Sequence, residues 1–310
     1  MKHDFVCVGF PKCATTTLDA ILRQHPEIAL PCHKETLFFE RNDLYDKGLE
    51  WYEKRYFGKN LKKYENKIIG EVNPRNVGNG NSEKNIMKVF GTSVKLIYLL
   101  RNPVQAVFSM YKHSLVDADI YEDIKKNMWT EGCFDSYVED YLNNLERRVY
   151  GQRSLFALFL YGRYLATALK YVPRQNIYVI LFEDFIADPE KETKKLLKFI
   201  GASTDIPLNY HMTENVGNRV PKSYRTLKAA KSKFAFWHHF YVPKVPYLGN
   251  TVERIWDRWY WTITDKASIH TDLGITMNKE TLEKLKNFYR PDVELLDATL
   301  HTDFGKRWNI

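Results

Sequence analysis

The stretch Phe5-Val6-Cys7-Val8-Gly9-Phe10-Pro11-Lys12-Cys13-Ala14-Thr15-Thr16-Thr17-Leu18 decides how this chain folds. Its first five residues read as a short buried strand, a continuous apolar run that stops at the turn signal Phe10-Pro11-Lys12. Leu18, Ile21 and Leu22 then recur at helical spacing, so the order is strand, loop, helix. The loop brings a lysine and three hydroxyls to the start of a helix. Backbone N–H groups and the helix dipole already favour an anion there, and Lys12 adds a full charge. The alternative reading of the segment is a helix capped by Thr15 beside a solvated lysine.

The same pattern recurs along the chain. Val94-Lys95-Leu96-Ile97-Tyr98-Leu99-Leu100 is a second buried strand that stops at Arg101-Asn102-Pro103, with Pro103 placed as the first residue of a helix. Ile177-Tyr178-Val179-Ile180-Leu181-Phe182 leads through Asp188-Pro189 into an apolar-periodic segment at residues 194–200, and Ile68-Ile69-Gly70-Glu71-Val72 is a fourth strand. Short apolar strands separated by helices indicate an α/β fold with a central parallel sheet covered on both faces. In such sheets ligands sit beyond the carboxyl ends of the strands, which points to the loops after Val8 and Leu100. From Ser223 onward the chain reads as helices rich in lysine and tryptophan, including residues 252–262 and 282–296. No internal repeat, low-complexity run or Gly/Ser linker marks a second domain. The expectation is therefore one domain over residues 1–310, with a core at about 4–235 and a helical C-terminal region at about 236–310.

Composition narrows the function. A chain of 310 residues with 44% hydrophobic and 27% charged residues is neither disordered, collagenous nor a small disulfide scaffold. Its net charge of +8 directs attention to an acidic partner: nucleic acid, a membrane surface or a phosphorylated small molecule. Cys7, Cys13, Cys32 and Cys133 form no C-x-x-C pair and no N-x-S/T acceptor occurs, so a cytoplasmic location is expected. The apolar run in MKHDFVCVGF is too short for a signal core or anchor, and no stretch approaches the ~18 apolar residues of a spanning helix. No membrane insertion is expected. The nine histidines are scattered, His238-His239 included, and no metal is expected.

Leu100-Arg101-Asn102-Pro103-Val104-Gln105-Ala106-Val107-Phe108-Ser109-Met110-Tyr111 is the second chemical element. Arg101 ends a strand at the ligand edge and Ser109 lies two turns into the helix. An arginine suits a bidentate clamp on phosphate, with the hydroxyl as a further donor. Read alone, Arg101 is a strand-terminal ion-pair partner and Ser109 an ordinary helix residue. A Walker A loop would place a glycine before the lysine and a Ser or Thr directly after it, and neither is present, which disfavours a nucleoside-triphosphate hydrolase.

Together the two segments resemble the phosphosulfate-binding loop and the 3′-phosphate-binding strand and helix of sulfotransferases that use 3′-phosphoadenosine 5′-phosphosulfate (PAPS), including bacterial members. In the pattern P-K-x-G-T-T-x-L the chain has Pro11, Lys12, Thr15, Thr16 and Leu18, with Ala14 where glycine is usual, and R-N-P-x-x-x-x-x-S-x-Y is matched in full. The likeness continues through Tyr161-Gly162-Arg163-Tyr164 and Phe182-Glu183-Asp184-Phe185 to Asp188-Pro189, so it covers roughly residues 5–230. The resemblance implies a P-loop-like three-layer α/β/α fold. It also implies that Lys12, Cys13, Ala14, Thr15, Thr16 and Thr17 bind the 5′-phosphosulfate, and Arg101 and Ser109 the 3′-phosphate.

Lys34-Glu35-Thr36-Leu37-Phe38-Phe39-Glu40 is similar to the K-E-x-x-F-F-D/E stretch of heparan-type glycan sulfotransferases, which implies a general base at Glu35 beside Lys34. Read without the likeness, these are exposed charges ahead of a Phe38-Phe39 anchor. Gly70-Glu71-Val72-Asn73-Pro74 is similar to the family's G-E-K-S/T-P, but Val72 stands where a lysine is common. Lys34, Arg75 or His113 could replace that charge or relay a proton; His113 lies four residues after Ser109 and so shares its helix face. Asn215-Val216-Gly217-Asn218-Arg219-Val220-Pro221-Lys222-Ser223 resembles the segment that closes over the nucleotide, with Arg219 and Lys222 as phosphate contacts, although a solvated basic loop has the same composition. Trp237, Trp256, Trp259, Tyr260 and Trp261 either line an acceptor cleft or pack among helices.

The implied reaction moves a sulfuryl group from PAPS to a hydroxyl or amine of a carbohydrate or small-molecule natural product, releasing 3′-phosphoadenosine 5′-phosphate (PAP). Two rivals stand beside it: a nucleoside or metabolite kinase, and a noncatalytic nucleic-acid-binding protein. The first lacks a Walker-type lysine and the second lacks base-stacking or groove-reading motifs, so no nucleic acid partner is expected. The acceptor and the oligomeric state are left open.

Overall fold

The computed structural model describes residues 1–77, 82–116, 134–144, 155–211, 219–221, 268–270 and 274–310. The chain divides into two compact units. The first comprises Met1–Val107, Glu146–Asn215 and Leu282–Ile310; the second comprises Phe108–Leu145 and Val216–Thr281.

The first unit is built on β1 (Phe5–Gly9), α1 (Thr15–Leu22), β2 (Ile28–Ala29), α2 (Asn42–Tyr45), α3 (Gly48–Tyr56), β3 (Ile68–Val72), α4 (Ser82–Phe90) and β4 (Lys95–Leu100). From Pro103 the helix α5 (Pro103–Val116) runs into the second unit, where α6 (Phe134–Asn143) follows. The chain returns through α7 (Tyr161–Ala168), β5 (Ile177–Leu181), α8 (Phe182–Ala187) and α9 (Pro189–Ile200).

The five strands form one parallel sheet in the order β2-β3-β1-β4-β5. Phe5, Val6, Cys7 and Val8 of β1 and Leu96 to Leu100 of β4 are wholly buried, which is why they read as continuous apolar runs. Phe5 pairs with Gly70, and a Cβ on Gly70 would lie 2.1 Å from the Phe5 ring, so only glycine lets that ring cross β3. The chain lays β2 and β3 on one side of β1 and then crosses to place β4 and β5 on the other. That reversal opens a crevice at the carboxyl ends of β1 and β4.

The expected strands are present, and the sheet gains β2, whose two residues are too short for any periodicity to reveal. The helix expected at 194–200 begins earlier, at Pro189. Asp188 accepts the Lys191 N–H at 3.0 Å, and polar residues fill the first turn where an apolar pattern is silent.

At the C-terminus, α10 (Lys279–Leu300) contains the expected 282–296 segment and buries Leu285, Tyr289, Val293 and Leu296. Its Asp292 accepts the N–H groups of Gly162 and Arg163 at 2.8 and 3.1 Å, satisfying donors at the start of α7. A short α11 (Phe304–Trp308) follows, and the Trp308 carbonyl accepts a bond from Asn102 at 3.1 Å.

In the second unit, the Phe134 ring of α6 lies 4.8 Å from Phe108 and 5.0 Å from Tyr111 of α5. The strands β6 (Arg219–Pro221) and β7 (Ser268–His270) pair antiparallel there. The helix expected at 252–262, and Trp237, Trp256, Trp259, Tyr260 and Trp261, lie outside the described residues. Among the described residues, no helix is long and apolar enough to cross a membrane.

Candidate functional site

The loop between β1 and α1 is anchored at its first residue, Phe10. The Phe10 N–H donates to the Leu99 carbonyl of β4 at 3.0 Å, and the Phe10 ring packs edge-on against Tyr161 of α7 with centroids 4.6 Å apart. Lys12 and Ala14 both adopt left-handed backbone, at φ 62° and φ 65°. Ala14 is the N-cap of α1, and no side chain caps that helix. The alternative of a Thr15 cap is thereby corrected: Thr15 is the first helical residue and is buried, as is Thr17, while Thr16 is half-buried. A small residue in left-handed backbone turns the chain sharply, so the first N–H groups of α1 point beyond the end of the sheet.

An L-residue in left-handed backbone costs about 1–2 kcal/mol, partly offset because alanine is less free than glycine when unfolded. Ala14→Gly is expected to raise stability by about 0.5–1 kcal/mol, read as a higher urea midpoint. A lower midpoint would show that the alanine methyl contributes more than the strain it carries.

Cys13 is buried, its Sγ 3.4 Å from the Pro11 carbonyl, and burial pushes the thiol up to about 12. It is a neutral thiol and offers only backbone to a ligand.

Arg101 leaves β4 beside this loop. Its Nη1 donates to the Lys12 carbonyl at 3.2 Å, and its guanidinium lies 4.3 Å from the centre of the Phe182 ring. Asn102 fixes the next turn: its N–H donates to Glu183 at 2.8 Å and its Oδ1 accepts the Val104 N–H at 3.0 Å, starting α5. Phe182, Glu183 and Asn102 belong to motifs visible in the sequence, but their supporting roles emerge only from these contacts.

The Lys12 ammonium is lowered to about 8, first by burial and then by repulsion from Arg101; Lys34 acts in the same direction and Glu35 opposes it. Burying one cation near a second is unfavourable unless an anion joins them. The loop therefore has the electrostatics of a site made for phosphate or sulfate.

Lys34 and Glu35 form an ion pair, Nζ to Oε1 at 2.7 Å. Glu35 has left-handed backbone at φ 62°, and its N–H donates to the Val72 carbonyl at 3.3 Å. Val72 thus meets this segment through its main chain, while its side chain is buried. Arg75 has its Nε 3.4 Å from Oε2 of the buried Glu40, so its charge is already engaged. Glu71 is fully buried, and burial pushes its carboxyl above the usual carboxylate range against hydrogen bonds from Thr36, Tyr52 and Asn73.

The first unit accordingly brings together Lys12, the loop from Cys13 to Thr17, Arg101, Lys34 and Glu35. Ser109 and His113 lie one turn apart on α5 in the second unit, both half-buried. Arg219 stands on β6 opposite His270, and Lys222 lies outside the described residues. Among the described residues, no cluster of His, Cys, Asp or Glu is placed to hold a metal ion.

A parallel sheet with an uncapped helix start and two cations at its switch point is an α/β arrangement suited to an anionic ligand. The family described as Sulfotransferase domain matches residues 2–240, and the chain belongs to it. Human heparan sulfate glucosamine 3-O-sulfotransferase 3B1 is 24% identical over 307 residues, which cover 97% of this chain and 64% of that protein. The membrane-associated sulfotransferase kil1 of Dictyostelium discoideum is 37% identical over 112 residues, 36% of this chain and 23% of its own length. The chain thus spans less than two thirds of these curated relatives. The crystal structure of a sulfotransferase from Alicyclobacillus acidocaldarius covers all of both chains with a TM-score of 0.63 at 22% identity, and shares the fold.

Proposed function

We propose that this chain transfers a sulfuryl group from PAPS to a hydroxyl or amine of a carbohydrate or small-molecule acceptor. The observation that carries the reading is the half-buried Lys12 ammonium beside Arg101 at the uncapped start of α1. PAPS brings a sulfuryl group joined to a phosphate leaving group, with a second phosphate on its ribose. Lys12 and the N–H groups from Ala14 to Thr17 suit the 5′-phosphosulfate, and Arg101 suits the 3′-phosphate. Ser109, Arg219 and Lys222 are carried by sequence motif alone. The names of the heparan sulfate relatives and the segment at residues 34–40 favour a carbohydrate hydroxyl. The same reading takes residues 1–310 as one sulfotransferase domain.

Glu35 accepts the acceptor's proton as the acceptor oxygen bonds to sulfur. Lys34 holds Oε1, which leaves Oε2 for that proton. The sulfur–oxygen bond to phosphate breaks in line, PAP departs, and Lys12 stabilises the negative charge gathering on the departing oxygen. Positioning and electrostatics supply the rate, as in phosphoryl transfer.

The test is PAP release from PAPS across a panel of glycan and small-molecule acceptors, with PAP and Mg-ATP affinities measured in parallel. Turnover and a preference for PAP are expected; preference for Mg-ATP with phosphate transfer would establish the kinase rival instead. Lys12 adds a pH signature. It is protonated below about 8 in the free protein, and a bound anion holds the proton. Binding then takes up a proton above that pH, so the Kd for PAP should be flat near pH 7 and rise up to ~10-fold per unit above 8. A flat profile to pH 9.5 would remove Lys12 from the phosphate contact.

A further inference from the structure

Thr36 stands between two strained residues. Glu35 and Leu37 both have left-handed backbone, at φ 62° and φ 59°, although neither is glycine. Such conformations persist only where surrounding contacts hold them. The contacts converge on Thr36, which is almost wholly buried. Its hydroxyl donates to Glu71 Oε1 at 2.6 Å and accepts the Phe38 N–H at 3.3 Å, and its carbonyl accepts the Tyr56 hydroxyl at 2.9 Å. Glu71 is held in turn by the Tyr52 hydroxyl on Oε2 at 2.5 Å, and His3 Nε2 meets the same hydroxyl at 3.1 Å. On the other flank, the Glu35 N–H is tied to Val72, the residue after Glu71. Strand β3 thus grips the turn that carries Lys34 and Glu35 from both sides, through the Glu71 carboxylate on one and the Val72 carbonyl on the other.

We propose that Thr36, gripped by the buried Glu71, is a positioning residue that holds the strained turn and so aims the Glu35 carboxylate at the acceptor. The proposal rests on the reading of Glu35 as the base. Its physical content is that an uncharged hydroxyl, which touches neither donor nor acceptor, sets the direction of the group that does. Replacing the hydroxyl by a methyl leaves a buried carboxylate oxygen without its donor and frees the turn to relax. A misplacement of about 1 Å at a reacting group costs ~10²-fold.

The experiment compares wild type, Thr36→Val, Thr36→Ser and Glu35→Gln. Thr36→Val is expected to lower kcat ~10–100-fold with PAP affinity unchanged, while Thr36→Ser, which keeps the hydroxyl, stays within about threefold of wild type. A serine variant as impaired as valine would overturn the hydroxyl's role, as would a valine variant with full turnover while Glu35→Gln is inactive. Loss of PAP binding in Thr36→Val would show collapse of the loop instead and overturn the positioning role. Hydrogen exchange over residues 34–38 needs no acceptor: faster exchange at the Glu35 amide in Thr36→Val supports the grip, and unchanged exchange overturns it. Absence of wild-type turnover across the panel fails the sulfotransferase reading itself, and the catalytic purpose of the turn falls with it.

Discussion

Glu35→Gln is expected to reduce kcat by ~10²- to 10⁴-fold, the usual contribution of a positioned general base. Glutamine keeps the shape of the side chain and can still accept a hydrogen bond from Lys34, but it cannot take a proton at neutral pH. The proposed PAP site comprises Lys12, the start of α1 and Arg101, none of which the substitution alters. PAP affinity should therefore hold within about twofold while turnover falls. Single-turnover measurement with saturating PAPS reads the chemical step directly. Unimpaired turnover in Glu35→Gln would remove Glu35 as the base.

Lys12→Met is expected to fail differently, losing both binding and chemistry. Methionine preserves the unbranched shape and leaves the left-handed backbone at residue 12 as it was, so the change is chiefly electrostatic. One charge-assisted hydrogen bond to phosphate is worth about 1.5–3 kcal/mol, which predicts ~10–100-fold weaker PAP binding. Loss of a donor aimed at the charge that develops on the leaving oxygen adds ~10²–10³-fold in kcat. Calorimetry with PAP and single-turnover kinetics separate the two losses. A variant that binds PAP normally would place the lysine away from the phosphate. The folded protein should tolerate the substitution, because it removes a cation that burial and Arg101 already disfavour.

The pair of substitutions divides the site into two jobs set by different parts of the fold. Lys12 and Arg101 lie beyond the carboxyl ends of adjacent strands, where the strand order reverses and two loops separate. Glu35 comes from the long excursion between β2 and β3 and is tied to the sheet through Val72 and, by way of Thr36, through Glu71. One is a feature of sheet topology, the other of a strained turn.

Much of the first job is written in local sequence. Strands β1, β4 and β5 are buried enough to appear as unbroken apolar runs, and Pro103 announces α5 because a missing N–H costs nothing at a helix start. The lysine of the loop and the arginine at the end of β4 follow from their places in these patterns. The second job shows only as the motif at residues 34–40, which marks Lys34 and Glu35 but neither the strained backbone nor the hold of Glu71 on Thr36. Ala14 gives no cue that it, and not Thr15, occupies the cap position, because cap geometry depends on backbone angles imposed by the flanking strand. Nor does Arg75 reveal that Glu40 engages it.

By itself, then, the sequence determined the four longer strands of the sheet, the helices that follow β1, β4 and β5, the loop that carries Lys12 and the motif that places the chain among sulfotransferases. These are short-range properties of period, turn chemistry and spacing. Tertiary structure alone decided that the Lys12 charge is held near a second cation, that the Val72 carbonyl ties down the Glu35 N–H, and that Glu71 reaches 35 residues back to grip Thr36. The physical reason is burial. Desolvation turns an ordinary lysine into a site that seeks an anion, while hydrogen bonds from Thr36 and Tyr52 hold Glu71 as an acceptor against the same desolvation, and both need distant segments to close over the group.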